Sequence, residues 1–202
     1  MLKNRPPKML KEMIKERSQI HTRNIQLATY PHKGSGVLVQ GILKDERLIP
    51  VFDVTGKARA PGTVHHMMVT LLIDPDPLTI ARAEAEMITI PMEECPATLD
   101  RVELLCGVEI KAGFSSQIRQ IMGGNRGCTH LCNLVVAMGQ EIFHGWLTQK
   151  RSEKAPLPVS LENLEEKAYL IDSCRVWKKD GPKVKEMRLA IEKNGEQSPD
   201  NI

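Results

Sequence analysis

The stretch "TVHHMMVTLLIDPDP", Thr63 to Pro77, constrains this chain more than any other. It is a long apolar run, entered through the turn "KARAPG" (Lys57 to Gly62) and stopped by two Asp-Pro pairs, so it reads as a strand with sharp ends. The next segment, "LTIARAEAEMITIP", gives a mixed signal at Ile80, Ala83 and Ala85. The Thr and Ile at both of its ends favour a strand folded back across the "DPDP" turn. Upstream, "IHTRNIQLATY" alternates imperfectly, and "GVLVQGILKDERLIPVFDV" holds two short β-rich runs with a hairpin connection at the charged residues Lys44 to Arg47. Residues of about 20–90 therefore form an antiparallel β-meander.

Helical patterning takes over afterwards. "CPATLDRVELLCGVEI" places Leu99, Val102, Leu105 and Cys106 on one helical face, and "GFSSQIRQIMGG" is a short helix stopped by paired glycines. From Thr129 to about Lys150, the residues Leu131, Leu134, Val135, Met138, Ile142 and Trp146 recur at helical spacing. Strands first and helices of about 96–150 afterwards predict an α+β fold. Beyond Ala155, "APLPVS" reads as a linker, "LENLEEKAYLIDSC" starts as a polar helix, and "VWKKDGPKVKEMRL" reads as a hairpin around Asp180-Gly181. The expected organisation is a basic amphipathic leading helix (1–18), an α+β core (19–154), a C-terminal helix and hairpin packed on it (155–190), and a flexible tail (191–202).

Composition narrows the function classes. Aromatics are only 3% of the chain, so the core must be built from Leu, Ile, Val and Met. No apolar run approaches the roughly 20 residues of a membrane helix, and "MLKNRPPKMLKEMIKERSQ" lacks the apolar centre of a signal peptide. A cytoplasmic location is expected. Five cysteines without framework spacing suit a reducing compartment, as thiols or metal ligands. Residues 1–23 carry seven Lys or Arg against two Glu, with Met9, Leu10, Met13 and Ile14 at helical spacing. That charge pattern suits a solvated helix packing one stripe better than a nucleic-acid or membrane surface. Nucleic acid is not an expected partner, and a homodimer stays open.

The residues with chemistry gather around "GGNRGCTHLC", Gly123 to Cys132. Within a helix, Cys128 and Cys132 share a face while His130 points away, so the three cannot hold one ion from inside it. With Cys128 left in the turn and Thr129 capping the helix, Cys128 and His130 converge, and Cys132 becomes a core thiol. A thiol at a helix N-terminus is favoured as thiolate, the form that attacks electrophiles and binds metal. His65 and His66 are adjacent in a strand and face opposite sides. Cys95 precedes a helix, Cys106 reads as core, and Cys174 is undecided. His65, Cys95, Cys128 and His130 make a mixed nitrogen and sulfur set suited to zinc or an iron–sulfur species. Arg126 within "GGNRG" competes as part of an anion site built on backbone N–H groups. The phosphate-loop, dinucleotide, nucleophile-elbow and HExxH motifs are all absent.

"GCTHL", together with "VHHM", "LLID", "TIARAEAEM", "LLCG" and "IDSC", resembles the bacterial family named domain of unknown function 2889, over roughly residues 20–180. The resemblance implies a residue set of His65, Met67, Cys95, Cys128, His130 and Cys174, and leaves Cys106 and Cys132 outside it. It implies no reaction. The order of motifs is also similar to that of NifU-like iron–sulfur scaffold proteins, which implies a NifU-like fold. There Ala60-Pro61 precedes the strand pair, Cys95 opens a helix, and Cys128 with His130 opens a later one. Three functions follow as expectations. The first is a His/Cys metal protein acting as carrier, scaffold or metal-dependent enzyme. The second is a metal-free enzyme with Cys128 as nucleophile and His130 or His65 as base. The third is a partner-binding protein without catalysis.

Overall fold

Strand β2 (Val37–Arg47) buries every second residue, Val37, Val39, Gly41, Leu43 and finally Asp45. This period of two is what one covered sheet face requires. In the computed structural model, which describes residues 9–153, 158, 160–164 and 166–196, β2 lies between β1 (His21–Pro31) and β5 (Gly62–Pro75). Strand β6 (Leu78–Thr89) completes an antiparallel sheet of order β1-β2-β5-β6. The meander is thus present, with a small two-stranded ladder of β3 (Val51–Phe52) and β4 (Ala58–Arg59) set into the β2 to β5 connection.

Among three register irregularities in the sheet, two shape its inner face. Asp45 pairs with His65 but Glu46 pairs with Thr63, so Val64 is an extra residue that bulges β5. Ile73 pairs with Ile80 and Leu72 with Arg82, so Ala81 is extra in β6. The inward positions of β6 therefore change from Leu78 and Ile80 to Ala83, Ala85 and Met87. That phase change is the physical origin of the mixed signal in "LTIARAEAEM".

Helix α3 (Thr129–Lys150) lies across the inner face and buries Leu131, Cys132, Leu134, Val135, Met138, Ile142 and Trp146. Each such aliphatic side chain contributes about 1.5–3 kcal/mol by leaving water. Helix α2 (Phe114–Met122) adds Phe114, Ile118 and Met122. The helix meets β1 closely: a Cβ on Gly145 would lie 2.1 Å from Thr29 Oγ1 and 2.4 Å from its Cβ. Thr29 Oγ1 in turn donates to Glu141 Oε1 at 2.7 Å.

Several local expectations are corrected. The Lys44 to Arg47 run is the end of a single strand, not a hairpin between two. The segment after Cys95 forms 3₁₀ turns at Cys95–Arg101 and Glu103–Leu105 instead of one α-helix. At three residues per turn Leu99, Val102 and Leu105 stack inward, whereas Cys106, four on from Val102, is exposed. The hairpin at Asp180-Gly181 is instead the start of helix α5 (Pro182–Glu196), with proline at its first position. Val184 and Ile191 bury one stripe of α5, and half-buried Met187 lies between them. The helix continues to Glu196, into the segment expected to be tail. Helix α1 (Met9–Lys15) occupies part of the expected leading helix, but its apolar residues Leu10, Met13 and Ile14 are exposed instead of packed. The rest of that helix, residues 1–8, and the tail after residue 196 lie outside the described residues.

The C-terminal segment is docked by aromatic stacking and charge. In α4 (Lys167–Leu170), Tyr169 stacks on Phe143 at 5.3 Å, and its hydroxyl accepts the Leu78 N–H. Buried Glu166 accepts two bonds from Arg151, at 3.0 and 2.8 Å. Gly145→Ala tests the α3 to β1 contact. Alanine gains about 1 kcal/mol of helix propensity, but the overpacking against Thr29 should lower stability by about 1–3 kcal/mol. A fall in urea midpoint is expected; an unchanged or raised midpoint would show that β1 gives way freely.

Candidate functional site

Arg23 and Asp45 are register partners across β1 and β2, and Asp45 and His65 are partners across β2 and β5. The three side chains consequently form a row across one end of the sheet. Arg23 grips the carboxylate with both prongs, Nε donating to Oδ1 and Nη2 to Oδ2, each at 2.7 Å. Asp45 itself is 1% exposed. His65 donates from Nδ1 to Asp45 Oδ2 at 2.9 Å when that nitrogen carries the proton.

His130 comes from the first turn of α3. Its ring lies over that of His65, with centroids 3.8 Å apart and planes tilted by 32°, and its Nε2 is 3.7 Å from Asp45 Oδ2. Asp45, His65 and His130 each offer a ligand atom, and these atoms lie within 4.8 Å of one another. Charge in the site is already arranged. The Arg23 guanidinium, chiefly by hydrogen bonding, holds the Asp45 carboxyl below the usual carboxylate range. Burial, reinforced by the charges of His65 and Arg23, pushes His130 below the usual imidazole range. The group is therefore an ionised carboxylate beside an imidazole that stays neutral.

Of the residues singled out from the sequence, His65, Cys128 and His130 come together. Cys128 Sγ lies 3.9 Å from His130 Nδ1, the ring nitrogen turned away from Asp45. Cys128, not Thr129, occupies the N-cap position of α3, and no side chain caps the helix there. The preceding turn needs Gly127, since a Cβ there would lie 2.9 Å from the Met122 carbonyl oxygen. Cys95 stands at the start of its 3₁₀ turn, half-buried, and Cys174 is exposed in the C-terminal segment. Among the described residues, no candidate ligand group includes a cysteine. Cys132 is buried, and burial pushes its thiol up, away from reactivity. Arg126 donates from Nη2 to the Arg119 carbonyl oxygen, closing the end of α2. His66, next in the strand, belongs to the opposite face.

Asp45 and Arg23 are the residues that sequence reasoning missed. A run of four charged residues, "KDER", looks like a turn. Yet Val37, Val39, Gly41 and Leu43 set an inward phase, and its next member is Asp45. A carboxylate in phase with a buried row was the available signal.

The family model described as "Protein of unknown function (DUF2889)" matches residues 21–144. The chain belongs to this family. The DUF2889 match begins at the first residue of β1 and takes in Arg23, Asp45, His65, Cys95, Cys128 and His130, while Cys174 lies beyond it. No curated protein and no solved structure matches the chain, so the NifU-like order of motifs gains no structural relative.

Arg23→Ala should strand a buried carboxylate. A wholly buried pair broken in this way costs about 3–5 kcal/mol, and with the guanidinium side chain 39% exposed about 1–3 kcal/mol is expected. Arg23→Lys should restore only part of this, because an ammonium cannot fork across both oxygens. Denaturant unfolding of the two variants reads the difference, and equal stability of all three proteins would contradict the assignment.

Proposed function

We propose that this DUF2889 protein binds a single divalent transition-metal ion through Asp45, His65 and His130, leaving coordination positions open to water or substrate. The observation that carries the proposal is the spacing of the ligand atoms. An ion about 2.0–2.2 Å from each ligand needs those atoms about 3–3.5 Å apart, and the carboxylate lies 2.9 and 3.7 Å from the two imidazoles. All three ligand atoms lie within 4.8 Å of one another, and an ion would draw them together. Metal on His65 Nδ1 would take the place of the proton between His65 and Asp45, which the neutral imidazole then carries on Nε2.

Two imidazoles with one carboxylate suit zinc or ferrous iron, and the group lacks the thiolates that an iron–sulfur cluster takes. In this reading Cys128, 3.9 Å from the outer nitrogen of His130, orients the ring and does not ligate. Arg23 does the same for the carboxylate. An ion with an open position lowers the pKa of bound water and polarises a carbonyl or phosphoryl oxygen, the chemistry of metal-assisted hydrolysis.

Metal-stripped protein titrated calorimetrically with Zn²⁺ and with Co²⁺ tests the set. One ion per chain is expected, with affinity reduced at least about 100-fold in His65→Ala and His130→Ala and kept within about tenfold in Cys95→Ser and Cys128→Ser. The cobalt form should lack intense thiolate-to-metal absorption in the near ultraviolet. Such a band, or metal content indifferent to both histidines, would overturn the proposal.

A second reading rests on the line from Cys128 Sγ to His130 Nδ1 at 3.9 Å and from His130 Nε2 to Asp45 Oδ2 at 3.7 Å. In that reading His130 takes the thiol proton and Cys128 attacks an electrophile, with no metal. Fast, selective alkylation of Cys128 in metal-free protein, slowed at least about tenfold by His130→Asn, is its expected signature. A sluggish Cys128, equally slow in both proteins, would remove it.

A further inference from the structure

Helix α3, helix α2 and the C-terminal segment border an open-sided cavity of about 540 Å³, which shares no residue with the Asp45, His65 and His130 group. Its size falls in the usual range for small-molecule sites, about 300–1,000 Å³. The walls are unusual for this chain. Of its three Phe, two Tyr and two Trp, four (Phe114, Phe143, Tyr169 and Trp177) line this one cavity, together with Val136. A chain that otherwise builds with aliphatic side chains has gathered flat, stiff surfaces here.

Those surfaces are held in place. Tyr169 stacks on Phe143 with planes 25° apart and is anchored through its hydroxyl to the Leu78 N–H. Trp177 sits in a loop closed by its own bonds, the Asp172 N–H donating to the Trp177 carbonyl and the Trp177 N–H to that of Cys174. Asp172 takes a left-handed conformation, φ 61°, which Asp tolerates better than most residues.

The polar complement says what would not bind. Beside the imidazole of His144, the lining carries two charged residues among those described, and both are engaged, Lys111 with Glu109 at 2.6 Å and Asp172 with the Lys179 N–H at 2.8 Å. Among the described residues, the cavity offers a phosphate or carboxylate no unpaired ammonium or guanidinium. Aromatic walls reward flat apolar rings, which stack face or edge on them.

We infer that this cavity is a binding site for an uncharged, planar aromatic small molecule, separate from the proposed metal group. Cys174, exposed in the lining, supplies a reporter that needs no substitution. The test uses the full chain and the neutral fluorophore N-phenyl-1-naphthylamine. Saturable binding of one probe per chain is expected, and saturating probe should slow iodoacetamide labelling of Cys174 several-fold, read by peptide mass spectrometry beside Cys106 as an exposed thiol outside the cavity. Trp177→Ala, which removes a wall, and Ser115→Trp, which fills the cavity, should each weaken binding at least about tenfold, while Asp45→Asn should not. Absence of saturable binding, or probe binding that leaves Cys174 labelling unchanged, would overturn the assignment; so would affinity unchanged from the native protein in both cavity variants.

Discussion

The grip of partly exposed Arg23 on buried Asp45 is the interaction on which the site depends. A carboxylate taken out of water is tolerated only with charge and hydrogen bonds supplied locally, and the guanidinium supplies both through two bonds of 2.7 Å. Cross-strand register makes this arrangement obligatory, because Arg23, Asp45 and His65 stand opposite one another on three consecutive neighbouring strands. The carboxylate oxygen nearest the histidines is thereby placed by the sheet, not by a loop. Precision of that kind is what a metal group or a proton relay requires.

Helix α3 contributes the remaining member, and its seating determines where His130 lies. The close contact between Gly145 and Thr29 and the burial of Met138 and Leu134 over Gly41 hold the helix near β1 and β2 along much of its length. His130 at one end is therefore positioned by packing many residues away. The same helix presents Val136 and Phe143 to the cavity beneath the C-terminal segment. One element thus serves two separate surfaces, with the sheet-facing stripe between them carrying the apolar burial.

Much of this was legible in the residues. The β-rich runs of β2, the long apolar run of β5, the Asp-Pro stop and the long periodic run after Thr129 express the α+β fold openly. His65, Cys128 and His130 were visible as chemistry. Asp45 was not, since a buried acid inside "KDER" has the composition of a turn and its partner lies 22 residues away in sequence. Bulges hid the phase of β6, and the spacing of Leu99, Val102 and Leu105 by three, which distinguishes 3₁₀ from α, differs from helical spacing only at Cys106. The helix at Pro182 was masked by an Asp-Gly pair that serves equally well as a hairpin tip or as the approach to a helix.

Strand β5 carries a further consequence. From His65 it reads in doublets, His-His, Met-Met, Val-Thr, Leu-Leu and Ile-Asp, so a shift by one residue would present almost the same side chains inward. Only two of the five doublets break that near-symmetry, Val69 against Thr70 and Ile73 against Asp74. A slip would exchange buried Val69 and Ile73 for a hydroxyl and a carboxylate under α3. The choice of which histidine meets Asp45 is thus made not by the histidines, which are interchangeable in sequence, but by Thr70 and Asp74 farther along the strand. They act as a key cut at one end of a lock whose bolt lies at the other.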